Sequence, residues 1–326
     1  MTSSTASKWV KVNKRMPCPI CGKMDWCLLS QDGTAAICAR VQSDKPAGNK
    51  GAGWVHKLKA DPNTFFTCPQ VIPDHSDESP RVTVDERDLI YNMLLSELSL
   101  VDFHRENLRR RGLVDEQIAD LDYKTLPSNG DGRLMAIRKL VNAGLDMTGV
   151  PGFYVEYGDV KLWGASGILI PIRDLDSRIQ AMQVRADNPN EGGKYRWISS
   201  SGKHLGCGSG SPIHVSHPEY YESELWITEG ALKSDIAAIK MNKCMLAVAG
   251  VGNWAGIIPI VAKLNPTKVI ISYDMDKTDN AAVRNHLDAL TNSLLRKGFR
   301  TFEADWDATF KGIDDLVKGD EQRCRK

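Results

Sequence analysis

From Glu222 onward the chain repeats one order: a short apolar run, a helical stretch, then another short apolar run. The runs are LWIT (225–228), CMLAVAG (244–250), KVIISYD (268–274) and RTFEAD (300–305), with helical patterns near 231–241, 254–263 and 279–297 between them. Short runs without polar alternation suit strands buried on both faces, and parallel neighbours need a crossover long enough to hold a helix. The pattern predicts an α/β fold with a parallel sheet covered by helices. Ligands of such a sheet bind beyond the carboxyl ends of its strands. There the first strand ends in Glu229-Gly230, the third in Asp274-Met275-Asp276, and the fourth near Asp305 and Asp307. Asp274 and Asp276 are two apart and share a side in extended chain. Clustered carboxylates repel unless a cation neutralises them, and hard oxygen donors suit Mg2+ or Mn2+. Such an ion can orient phosphates for nucleotidyl transfer or phosphodiester cleavage.

The other end of the chain carries different chemistry. In CPICGKMDWCLLSQDGTAAIC, Cys18 and Cys21 form a CxxC knuckle followed by Gly22, a common way to hold a tetrahedral metal. Asp32-Gly33 is a favoured two-residue hairpin turn. A hairpin closed there pairs residues whose numbers sum to 65, which sets Cys27 opposite Cys38 on one face. Four thiolates then suit structural Zn2+. The rival to Cys27 as fourth ligand is His56, in GWVH. Residues 1–60 carry ten Lys/Arg against Asp25, Asp32 and Asp44. Even with a zinc–thiolate centre this head stays basic, so it suits a polyanion, with binding that weakens in salt. Trp9, Trp26 and Trp54 are expected chiefly to pack this small module, with stacking on unpaired bases as their alternative use.

The chain therefore divides into a zinc-binding ribbon (1–60), a Pro-rich linker without periodicity (61–84), a helical and basic-strand region (85–220), and the strand–helix repeat (221–326). The third segment opens with helices: one over Asp85 to Leu100, one capped by Asp102 and ended by Gly112, and one capped by Asp115. Strand-like runs follow at 152–157, 168–172, 179–185 and 195–199, with Arg173 to Arg178 as a hairpin connection. His204, His214 and His217 read as loop histidines. The basic helix end around Arg109, Arg110 and Arg111 suits either DNA or the helix dipole. No run of about 18 apolar residues occurs, and MTSSTASKWVKVNKR has no apolar stretch of a secretory signal. The expectation is a cytoplasmic protein without a membrane partner.

ITEGALKSDIAAI, followed by VIISYDMDKTDNAAV, resembles the Toprim domain shared by bacterial-type DNA primases, topoisomerases and some nucleases. The resemblance implies that Asp274 and Asp276 hold catalytic Mg2+ and that Glu229 shares in metal binding or acid–base work. KGIDDL (311–316) resembles an acidic motif late in phage- and plasmid-type Toprim domains. Upstream, GILIPIRDLDSRIQAMQVRADNPNEGGKYRWISS is similar to the stretch of bacterial primases that lines their template and nucleotide groove, which implies that role for Arg173, Arg185, Lys194 and Tyr195. The order zinc module, linker, helices, basic strands, Toprim is similar to that of primases of mobile elements and phages. It implies synthesis of short RNA primers on single-stranded DNA from nucleoside triphosphates. No GxxxxGK[ST] loop occurs, so a replicative helicase is expected in trans. The chain departs from the family's EGxxD: Lys233 stands at its acid position, among the basic residues expected to meet template or nucleotide, and Asp235 follows two places later. That departure supports a second reading, a non-catalytic module that binds single-stranded DNA or recruits a replisome; a Toprim nuclease is a third.

Overall fold

The computed structural model describes residues 9–13, 16–30, 34–47, 53–58, 78–128, 130–275, 281–307 and 309–324. The chain divides into two compact units, Met1–Ile72 and Pro73–Lys326. Among the described residues no helix is long and apolar enough to cross a membrane.

The first unit is an antiparallel sheet of β1 (Trp9–Lys11), β2 (Leu28–Ser30), β3 (Ala35–Cys38) and β4 (Trp54–Lys57), in that spatial order. Leu28 pairs with Ile37 and Leu29 with Ala36, the register summing to 65. The Ser30 hydroxyl accepts from the Ala35 N–H at 2.8 Å where the hairpin closes. Its buried apolar core is small: Val12, Leu29, Ala36 and Ala47 with Cys18, Cys27 and Cys38. Modules with so small a core commonly rely on a metal or disulfides.

The second unit begins with α1 (Val84–Ser96), α2 (Asp102–Arg110) and α3 (Asp115–Asp120). Thr83 and Glu86 form a reciprocal capping box on α1, which satisfies two otherwise orphaned N–H groups. Next come β5 (Lys124–Leu126), α4 (Asp131–Asn142), β6 (Phe153–Glu156), β7 (Asp159–Leu162), β8 (Gly167–Arg173), β9 (Ile179–Ala186) and β10 (Tyr195–Trp197). β10-β9-β8-β5 form one antiparallel sheet, and β6 and β7 a separate hairpin. The final stretch holds β11 (His214–Ser216), β12 (Glu224–Glu229), α5 (Ala231–Met241), β13 (Met245–Val248), α6 (Ile257–Leu264), β14 (Lys268–Ile271), α7 (Ala281–Arg296), β15 (Thr301–Glu303) and α8 (Ile313–Cys324). Its sheet runs β11-β13-β12-β14-β15, with β12 to β15 parallel and β11 antiparallel at one edge.

β8 and β9 are covered on both faces, which is why GILIPI reads as one apolar run. Leu169, Met182 and Val184 pack with Tyr91, Leu94 and Leu140. Ile168, Ile170 and Ile172 pack with Leu108, Ile118, and Leu232 and Ile236 of α5. The basic-strand region and the strand–helix repeat thus share a core, and β11, from before residue 221, completes the parallel sheet.

Several expectations need correction. The part of the expected linker at 78–83 is packed: Arg81 donates to the Ser209 carbonyl at 2.8 Å, and Ser201 donates to Glu78 at 2.9 Å. Residues 61–77 of that linker lie outside the described residues. His214 is no loop histidine but buried on β11. α4 was not marked by its pattern, because a basic residue occupies its inner face. Arg133 is 5% exposed and donates to the carbonyls of Leu162 (3.0 Å), Gly164 (3.1 Å) and Pro127 (2.5 Å). Those bonds make burial of a guanidinium tolerable.

Candidate functional site

In the first unit the sulfurs of Cys18, Cys21, Cys27 and Cys38 all lie within 4.8 Å of one another, the one cluster of three or more metal-ligand side chains among the described residues. The knuckle turn closes with Gly22 at φ +68°, a conformation that suits glycine. Backbone N–H groups of Ala39, Arg40 and Val41 donate to the Cys27 and Cys38 sulfurs at 3.3–3.4 Å. Such donors favour thiolates, as second-shell groups of a metal site do. Burial pushes the Cys27 thiol up to about 12, while Cys21, at the rim, is brought down to about 7 because hydrogen bonds from the Lys23 backbone and neighbouring thiols outweigh its burial. A buried thiol such as Cys27 gives up its proton only to a cation, and four sulfurs at this spacing suit structural Zn2+. His56 is not in the cluster: its Nε2 lies 3.0 Å from the Val41 carbonyl. Trp9 and Trp54 are half-buried, but Trp26 is 78% exposed beside the thiols, contrary to the packing role expected of it.

In the second unit, Glu229 closes β12 and Gly230 (φ +78°) turns the chain into α5. Lys233 therefore sits in the first turn of α5, where the helix dipole disfavours a cation. It is held there by Asp274, just beyond β14, whose carboxylate accepts from the Lys233 ammonium. Burial alone would lower the Lys233 ammonium, but Asp274, with Asp314 and Glu229 beyond it, keeps it above its usual value. The Met275 N–H donates to the Lys311 carbonyl at 2.9 Å, tying the 311–314 segment to this strand end. A Cβ on Gly312 would lie 2.8 Å from Asp314 Oδ1, 3.0 Å from Asp274 Oδ1 and 3.4 Å from Lys233 Cδ. Glycine lets the two carboxylates and the lysine approach without displacing them. Asp314, 7% exposed, faces Arg111 Nη1 at 3.5 Å. Burial first, and then Asp315, raise the Asp314 carboxyl above its usual value, against the pull of Lys233 and Arg111.

A basic group stands beside these carboxylates. Tyr195 of β10 pairs with Arg185 of β9, which sets Lys194 and Arg185 at one end of that ladder; burial first, and then the charges of Arg185, Arg111, Lys233 and Lys311, lower the Lys194 ammonium. Arg111 Nε and Arg185 Nε are buried without a hydrogen-bond partner, which is costly unless something else supplies an acceptor. Tyr195 lies under the Lys194 ammonium, 5.8 Å from nitrogen to ring centroid. An anion with several oxygens would satisfy such a group.

Of the residues singled out in the sequence, Glu229, Lys233, Asp274, Arg185, Lys194 and Tyr195 thus share one neighbourhood. Arg173 does not: it lies at the far end of β8 from Ile168, the partner of Arg185, and pairs with Asp122 at 2.9 Å. Asp276 lies outside the described residues. Asp235, the acid nearest the family position, faces away from this edge into β11. It accepts from Tyr123 Oη (2.5 Å), Ser216 Oγ (2.7 Å) and His214 Nε2 (2.8 Å). Arg173 N–H donates to His214 Nδ1 at 3.0 Å, which fixes Nε2 as the protonated nitrogen. The sequence suggests Arg111 only as part of a basic helix end suited to DNA or the helix dipole, and does not single out Lys311 for its charge. The available signal for Arg111 was the basic end of α2, and for Lys311 the KGIDDL motif.

The described carboxylates do not by themselves make a divalent-ion site. Glu229, Asp274 and Asp314 form no converging ligand cluster, and cations already face Asp274 and Asp314.

A family described as a domain of unknown function (DUF3854) matches residues 219–324. No curated protein matches the chain. The zinc-binding and RNA polymerase domains of the Aquifex aeolicus primase have a similar structure, with a TM-score of 0.59 at 15% identity over 99% of this chain and 80% of that one. The RNA polymerase domain of Mycobacterium tuberculosis primase DnaG, solved with double-stranded DNA, gives a TM-score of 0.57 at 13% identity, covering 74% of this chain and 78% of that one. A DnaG primase catalytic domain bound to single-stranded DNA gives 0.54 at 19%, covering 74% and 78%. At these identities the likeness is one of fold.

Proposed function

We propose that this chain is a DNA primase that makes short RNA primers on single-stranded DNA, in the replication of a mobile element or phage. The observation that carries the reading is the pairing of cations with carboxylates at one strand end, where Lys233 contacts Asp274, Arg111 faces Asp314, and Gly312 lies against Asp274, Asp314 and Lys233. Nucleotidyl transfer needs this kind of pairing: cations to hold a triphosphate and template phosphates, beside carboxylates where charge must be balanced. The fold shared with primase zinc-binding and RNA polymerase domains supports it. The Toprim reading of residues 221–326 is part of the proposal. On that reading Glu229, Asp274 and Asp276 would hold Mg2+ or Mn2+, which supplies charge neutralisation at the reacting phosphate. Arg185, Lys194 and Arg111 orient the polyphosphate, and the zinc module meets template. A helicase partner in trans belongs to the same reading.

The test is a priming assay on mixed-sequence single-stranded DNA with labelled nucleoside triphosphates and Mg2+ or Mn2+, wild type beside Asp274→Ala. Short RNA from wild type alone is expected. Equal synthesis by both proteins refutes the assignment. One observation favours a second reading, a non-catalytic module that binds single-stranded DNA: Lys233 neutralises Asp274. DNA binding without product from wild type would select it.

A further inference from the structure

Lys233 occupies an unusual position. It is a cation in the first turn of α5, next to Glu229 and in contact with Asp274. Helix dipoles disfavour that placement, and the half-buried ammonium is stabilised there by its pairing. Gly312 gives room for Asp274, Asp314 and the lysine stem to close up, because a Cβ there would lie 2.8 Å from the Asp314 carboxylate and 3.0 Å from that of Asp274 and push them apart. The arrangement therefore looks built around the ammonium. The local charge points the same way. The Lys233 ammonium contacts Asp274 and the Arg111 guanidinium lies 3.5 Å from Asp314, so each of these two carboxylates already faces a cation. A hydrated divalent ion approaching them alone must displace those cations, the reverse of a preassembled carboxylate site.

We infer that Lys233 is a tethered cation that stands in for a divalent ion at Asp274, so that the acidic edge binds no divalent ion tightly on its own. The inference rests on the reading of this edge as the place where phosphates react. Its test uses neither DNA nor polymerisation, so the two can fail separately.

The zinc-loaded full chain is titrated with Mn2+ without nucleotide, and free Mn2+ is read by its electron paramagnetic resonance signal. Wild type is expected to bind weakly. Lys233→Gln frees Asp274 and should bind at least about tenfold more tightly; Lys233→Gln with Asp274→Asn should lose that gain. Asp274→Asn alone, whose lysine and backbone stay in place, should leave the weak wild-type affinity unchanged. Wild-type affinity equal to that of Lys233→Gln, or a clear loss on Asp274→Asn alone, overturns the inference. Thermal melts of each variant identify a folded protein, and should Lys233→Gln not fold, the Asp274→Asn comparison decides.

Discussion

Removing a single hydroxyl tests how the second unit is held together. Tyr123 is 2% exposed, and its Oη donates to Asp235 Oδ2 at 2.5 Å. Asp235 is 3% exposed and accepts also from Ser216 and His214, so one carboxylate joins β5's approach, β11 and α5. Tyr123→Phe keeps the ring and its packing but leaves one oxygen of a buried anion short of a donor. A hydrogen bond to a charged group contributes about 1.5–3 kcal/mol. A unit of this size shifts by about 2–4 °C per kcal/mol, which gives a drop of about 3–12 °C in Tm. Burial would raise the Asp235 carboxyl, but His214, Tyr123 and Ser216 hold it below its usual value. Its contribution is therefore full above the ordinary carboxylate range and is lost as pH falls through the lower folded value. The gap between wild type and Tyr123→Phe should stay constant near neutrality and close in acid. Calorimetric melts at several pH values measure both. A neutral-pH Tm within about 1 °C of wild type would show that the network does not stabilise the fold in this way.

Other outcomes follow from the same geometry. Metal analysis should find one zinc per chain, lost in Cys38→Ser and kept in His56→Ala. Because structural zinc in small fingers contributes about 10–16 kcal/mol of binding free energy, a chelator should abolish the first unit's folding while the second unit's transition persists. Trp26→Ala should change stability by less than about 0.5 kcal/mol, its side chain being exposed, yet weaken single-stranded DNA binding by about 1–3 kcal/mol if a base stacks there. Arg185→Ala and Lys194→Ala should each lower the salt slope of DNA binding by about one, whereas Arg173→Ala, whose partner is Asp122, should leave it unchanged. Lys194 is lowered by burial and neighbouring cations, so its share of phosphate binding should fade at lower pH than an exposed lysine's; Lys194→Arg should remove that dependence.

Local rules decided much of this protein. The apolar runs after residue 222 could only be buried strands, and their spacing demanded crossovers, so a parallel sheet followed from chain order. The register summing to 65 followed from one Asp-Gly turn, because strand pairing has a fixed period of two. It sets Cys27 opposite Cys38. Pairing between distant segments was a different matter. Nothing in the neighbourhood of Lys233 says that it meets Asp274, 41 residues away, or that Gly312 clears the room for it. Asp235 and Lys233 are two apart on one helix, and 3.6 residues per turn sends them to different faces. Which face met the carboxylate edge and which met His214 was settled only by how α5 packs between β8 and the parallel sheet. Arg173 and Arg185 look alike in the sequence as strand-end arginines, yet they lie at opposite ends of the β8–β9 ladder. Strand and turn chemistry act within a few residues and are legible there; the electrostatic environment of a side chain depends on groups that only tertiary packing brings near.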